Sequence, residues 1–182
     1  MVCRVFFFFL PVIVLFPTFL QQHPHVKGDA ILIHKACQNT GYYDLCVSSL
    51  RSDPNSTAAD TKGLARIMIG VAAANATSTS LFLSSMVIGT VNDPVTAKLL
   101  RGCADKYSLA DDALQAAARD LTTESYDYAY VHITAARDYP NVCRNSFKRN
   151  AGSTYPPELA RREDGLQHLC DVISGIVGFL GF

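Results

Sequence analysis

The chain has 182 residues, 49% of them hydrophobic, with 16 basic against 16 acidic side chains. Such a balance excludes the strongly basic surface of a nucleic-acid binder. The hydrophobic share agrees with a globular chain that buries its own core.

The first segment reads as a signal peptide spanning 1–30. Arg4 precedes an apolar run over 5–20 that is interrupted only by Pro11, Pro17 and Thr18. The run is short for a membrane span of about 20 residues, and its prolines suit a segment that is removed. Gly28 and Ala30 are the small residues at positions −3 and −1 of a cleavage that makes Ile31 the first mature residue, leaving one domain over 31–182. Removal takes Arg4, Lys27 and Asp29 and leaves the mature charge close to neutral. No membrane partner is expected after cleavage, because the apolar tail 172–182 is too short to span and contains glycines.

Secretion gives the cysteines an oxidising context. Five remain in the mature chain, Cys37, Cys46, Cys103, Cys143 and Cys170, enough for two bridges and a spare thiol. Asn55-Ser56-Thr57 and Asn75-Ala76-Thr77 are glycosylation sequons, with Asn55 and Asn75 as the candidate acceptors.

After a short leader holding Cys37 and Cys46, the apolar spacing is helical throughout and no segment alternates with period two long enough for a strand. The first long helix is predicted over 58–87, with Leu64, Ile67, Met68, Val71, Leu81 and Met86 on its inner face and Gly70 as a weak point. Residues 89–94 carry turn chemistry, and Pro94 suits the opening of a second helix over 95–121. In that helix Leu99, Cys103, Tyr107, Ala110, Leu114, Ala117 and Leu121 recur at spacings of three and four. A third helix over 125–147 aligns Ala129, Ile133, Ala136, Cys143 and Phe147, with a kink or restart expected at Pro140. A fourth, over 157–180, places Leu159, Leu166, Leu169, Cys170, Ile173, Ile176, Val177 and Leu180 inside.

The connection Thr122-Thr123-Glu124 is short enough to force an antiparallel hairpin. Cys103 and Cys143 stand equally far from Thr123, about 30 Å along each helix, and both face inward, so they meet as a cross-link. Gly41 lets the chain fold back to pair Cys37 with Cys46, leaving Cys170 as a buried free thiol that behaves as a small hydrophobe. The expected architecture is all-α: an up-down-up-down four-helix bundle with a short N-terminal helical hairpin extension and two disulfides.

Catalytic constellations do not accompany this scaffold. The chain carries no nucleophile elbow, phosphate loop, His-Glu-x-x-His or EF-hand pattern. His34, His132 and His168 lack ligand spacing, so neither a metal nor another cofactor is expected. Asp111-Asp112 and Glu163-Asp164 are sequence neighbours that diverge by about 100 degrees on a helix, and read as solvated surface rather than as an acid–base pair.

Four fragments in order carry a family resemblance: Cys37-x2-Thr40-x2-Tyr43-x2-Cys46 followed by Asp53-Pro54; Ala59-Asp60-x2-Gly63-Leu64-Ala65; Leu100-x2-Cys103-x3-Tyr107-x2-Ala110-x3-Leu114; and Ile133-Thr134-Ala135-Ala136-x6-Cys143-x3-Phe147. Over nearly the whole mature chain this resembles the plant invertase and pectin methylesterase inhibitors. The resemblance implies the same two bridges and a secreted, non-catalytic protein, monomeric when free, that occludes the substrate cleft of a carbohydrate-active enzyme. Relatives that block invertase can carry Pro-Lys-Phe where this chain has Tyr126-Asp127-Tyr128, so a carboxylate stands where that mode wants a cation. This stretch looks more like the pectin methylesterase-inhibiting and pollen-type invertase-inhibitor branches. Pectin methylesterase is therefore the first expected target and cell-wall or vacuolar invertase the alternative, in the apoplast or the vacuole. Lys106, Asp112, Gln115, Tyr126, Asp127 and Tyr128 are the candidate contacts. A secreted helical protein that holds an apolar ligand is the reading from a different class.

Overall fold

The computed structural model describes residues 30–90 and 92–181, so the expected signal peptide, apart from Ala30, lies outside the described residues. Two short helices, α1 (Ala30–Cys37) and α2 (Tyr43–Ser52), precede a 3-10 turn at Pro54–Ala58. Four long helices follow: α3 (Thr61–Gly89), α4 (Pro94–Thr122), α5 (Tyr126–Arg149) and α6 (Pro157–Gly178). No strand occurs among the described residues.

Local chemistry sets the helix starts. The Asp60 carboxylate accepts the Gly63 amide at 2.7 Å and opens α3. Asp93 does the same for Thr96 at 3.0 Å, with Pro94 in the first turn of α4, where its missing N–H costs nothing. Because the chain uses Pro54 to build a separate 3-10 turn, α3 begins three residues later than the spacing predicts.

The long helices close into a ring in which α3 and α5 each pack between α4 and α6. Leu64, Met68, Leu83, Leu100, Leu114, Leu121, Ile133, Leu159, Leu166 and Ile173 are all fully enclosed at its centre. By composition α3 is apolar enough to cross a membrane, yet its Leu64, Met68, Ala72, Ala76 and Leu83 are enclosed by the bundle.

One assignment on α3 is overturned. Leu81 is 67% exposed, and Leu83 takes the core position instead. From 67 to 89 the helix has no charged residue to mark its solvent side, so the hydrophobic pattern alone does not fix the phase. Pro140 likewise does not restart α5, which runs unbroken with Pro140 buried between Ala136 and Cys143. Packing of that face holds the helix together across the hydrogen bond that proline cannot donate.

Cys103 and Cys143 are joined, with their Cα atoms 4.9 Å apart, and tie α4 to α5. Cys37 and Cys46 close the α1–α2 loop at a Cα separation of 5.7 Å, and Cys170 is free and buried. The α1–α2 hairpin docks on α6: Tyr42 stacks on His168 with ring centroids 3.9 Å apart, Thr40 lies directly over Gly175, and Lys35 reaches over the Phe179 ring at the end of α6.

Candidate functional site

The connection between α4 and α5 is built to hold its shape. Ser125 donates its amide to the Asp120 carbonyl at 2.9 Å, and the hydroxyls of Thr123 and Ser125 lie 3.1 Å apart. Glu124 sits at a φ of 58°, a left-handed conformation unusual for a side chain larger than glycine. Its carboxylate is caught by Lys62 of α3 at 3.0 Å. That hydrogen bond and charge raise the Lys62 pKa. On the other flank, His132 of α5 meets Asp120 of α4 at 2.7 Å. The Lys62–Glu124 ion pair, the His132–Asp120 contact and the disulfide therefore fix one hairpin at its tip and near its far end.

Tyr126, Asp127 and Tyr128 lie together at this tip, where with Glu124, Ser125 and Gly181 they line a shallow depression of about 300 Å³. Tyr126 is partly buried against the core, Asp127 is exposed, and Tyr128 is 68% exposed. The remaining candidates are not gathered there. Lys106 lines a groove between α4 and α5 with Leu99, Val142 and Ser146. Gln115 lines a different groove, between α3 and α4, with Arg66 and Ile67. Asp112 is exposed on α4.

Large apolar side chains that sequence spacing left unassigned lie on the same hairpin. Val131 is 60% exposed one helical turn beyond Tyr128, while Val95 and Val142 stand at the edges of the α4–α5 groove. Their signal was available: Val131 falls off the Ala129–Ile133–Ala136 stripe, so it has to face outward. Such solvent-facing aromatic and aliphatic groups on a rigid frame are the material of a protein-binding surface.

The acidic pair Glu163-Asp164 requires a correction. Asp164 is exposed, but the Glu163 side chain is fully enclosed, with Arg144 at 2.9 Å and the Tyr155 hydroxyl donating to it at 2.6 Å. The 150–156 loop folds Tyr155 over this carboxylate, which short-range sequence pattern does not reveal. Burial works against the Arg144 charge, but the Glu163 hydrogen bond and charge outweigh it and raise its pKa. Burial first, and then Glu163, push the Tyr155 phenol well above its ordinary range. Asp111 also departs from the solvated reading, since one of its carboxylate oxygens is buried without a partner.

The three histidines among the described residues are each engaged within the fold. His34 contacts the Tyr43 hydroxyl and Arg51, His132 meets Asp120, and His168 stacks on Tyr42. Among the described residues no group of three His, Cys, Asp or Glu is arranged to hold a metal ion.

Residues 31–176 match the family profile described as plant invertase/pectin methylesterase inhibitor. The chain is 51% identical over 146 residues to the cell wall/vacuolar inhibitor of fructosidase 2 of Arabidopsis thaliana, covering 80% of this chain and 81% of that one. It is 42% identical over 164 residues to pectinesterase inhibitor 28 of Oryza sativa subsp. japonica, covering 86% and 72%. Its fold superposes on the crystal structure of a mutant form of an Arabidopsis pectin methylesterase inhibitor with a TM-score of 0.64 at 24% identity, over 78% of this chain and 92% of that one.

Proposed function

Since the chain belongs to the plant invertase/pectin methylesterase inhibitor family, we propose that this enzyme inhibitor acts on pectin methylesterase by laying its α4–α5 hairpin over the substrate cleft. The observation that carries the reading is the hairpin itself. It is cross-linked at Cys103–Cys143, clasped at its tip by Lys62–Glu124 and Asp120–His132, and it exposes Tyr128 and Val131 on a frame that does not need to reorganise. Rigid presentation lowers the ordering cost of docking, and exposed aromatic anchors supply the apolar contact. Nothing on the inhibitor has to react.

Charge selects the target. Asp127 lies exposed at the tip beside the Glu124–Lys62 pair, so the approaching surface meets a carboxylate where the Pro-Lys-Phe mode of invertase binding presents a lysine. An acidic tip favours a basic or neutral cleft rim. A second reading, inhibition of a fructosidase, is favoured by the 51% identity to the Arabidopsis protein that bears that name. The working compartment in this reading is the cell wall, reached by secretion.

Occlusion is tested by steady-state kinetics of pectin methylesterase at rising pectin concentrations. A raised KM with unchanged kcat is the expected result. A depressed kcat at saturating pectin would reject occlusion of the cleft.

A further inference from the structure

We propose that Asn55 carries an N-linked glycan whose first sugars rest in the α3–α4 groove beside it, and that the second sequon, at Asn75, stays unmodified in the folded protein. The proposal rests on the reading that the chain is secreted.

The two sequons occupy opposite environments. Asn55 and Thr57 are both exposed, on the 3-10 turn between α2 and α3. Asn75 lies in the middle of α3, with its side-chain oxygen buried and its side-chain nitrogen 3.7 Å from the position a Cβ would take on Gly165 of α6. A glycan on Asn75 would have to grow out through the α3–α6 contact. On Asn55 it meets only solvent and the groove.

Asn55 itself lines that groove, which has a volume of about 680 Å³. It is lined by the small or apolar Ala59, Gly63 and Ile67 and by the polar Asp53, Arg66 and Gln115. This pairing suits a pyranose, which offers C–H faces and a ring of hydroxyls. The Asn55 side-chain nitrogen donates to Asp53 Oδ1 at 2.9 Å, and Asp53 Oδ1 also accepts the Asn55 backbone amide at 2.8 Å.

In the transfer, the Asn55 side-chain nitrogen forms a bond to C1 of an oligosaccharide held on a polyisoprenyl diphosphate. The C1–O bond to that diphosphate breaks, the diphosphate leaves with the electron pair, and the proton that the nitrogen gives up passes to the departing diphosphate or to water. The second N–H remains, so the link to Asp53 can persist and aim the first sugar along the turn toward the groove.

The test is the full chain expressed in a plant secretory host, with peptide mapping after enzymatic deglycosylation and two-dimensional NMR of the glycoprotein. Asn55 should be converted to aspartate by the deglycosylating enzyme while Asn75 is unchanged. Thr57→Ala should abolish the electrophoretic shift and Thr77→Ala should leave it intact. The acetamido methyl of the first sugar should show a nuclear Overhauser contact to an Ile67 methyl. An unmodified Asn55 in protein with its signal removed and both disulfides formed overturns the assignment while leaving secretion standing. An uncleaved, reduced chain removes the secretion premise instead. Occupancy of Asn55 without the Ile67 contact overturns the groove, and a glycan on Asn75 in secreted protein overturns the discrimination.

Discussion

Arg144 on α5 and Glu163 on α6 meet at 2.9 Å, the carboxylate wholly enclosed and the guanidinium about one-third exposed. An enclosed carboxylate is tolerated only with partners, and the Tyr155 hydroxyl adds a second one on the same oxygen, Oε2, while Oε1 is buried without one. Arg144→Ala should lower stability by about 2–4 kcal/mol in urea unfolding, somewhat less than the loss of a partner in a fully buried pair because Arg144 keeps water access. The double variant Arg144→Met/Glu163→Leu should recover most of that loss. A double variant as unstable as the single one would show that the charges themselves stabilise the bundle.

The Cys103–Cys143 link closes a loop that holds the tip and most of both arms of the α4–α5 hairpin. On the chain-entropy account, Cys103→Ser or Cys143→Ser should each cost about 2–5 kcal/mol. Cys170→Ala removes one buried sulfur and should cost less than either. Thermal unfolding of the three variants under identical non-reducing conditions compares them directly. An equal loss for Cys170→Ala would show that its pocket is as important as the bridge.

Gly175 lets the α1–α2 hairpin approach α6. A Cβ there would stand 3.0 Å from the Thr40 methyl and 3.2 Å from backbone atoms of Asn39 and Thr40. Gly175→Val should cost about 1–3 kcal/mol by overpacking. Limited proteolysis should cut the 38–42 connection faster in the variant, while α3 to α6 remain resistant. Unchanged cleavage would mean that the N-terminal hairpin is held by the Tyr42–His168 stack instead.

Burial, followed by the nearby Asp171 charge, pushes the Cys170 thiol up to about 12 from its ordinary 9.0. The neutral thiol is therefore favoured by the folded state. Its contribution is fully present below pH 9 and is lost as pH rises toward 12, with a slope of up to about 1.4 kcal/mol per pH unit. Cys170→Ala should flatten the first part of the alkaline unfolding curve. The raised phenols of Tyr107 and Tyr155 act with the same sign at higher pH. Identical alkaline curves with and without Cys170 would contradict this account.

The helices and both bridges were legible in the sequence because they rest on repetitive or local chemistry: inward spacing around Cys103 and Cys143, a short hairpin connection, proline and aspartate at helix starts. The phase of α3 was not, since an uncharged stretch from 67 to 89 leaves Leu81 and Leu83 equally eligible for the core. Glu163 was misplaced for a different reason. Its partners Arg144 and Tyr155 arrive from another helix and a loop, and neighbouring residues in the chain carry no trace of them. At the hairpin, sequence pointed to Tyr126, Asp127 and Tyr128 but scattered Lys106 and Gln115, which the fold sends into separate grooves.

Titration of the purified mature chain against pectin methylesterase and against a fructosidase, at mildly acidic pH, tests the central claim most directly. The account predicts that pectin methylesterase activity falls to a plateau at one inhibitor per enzyme, that dilution restores it, and that Tyr128→Ala weakens the effect without unfolding the bundle. Inhibition of the fructosidase with pectin methylesterase untouched would contradict it.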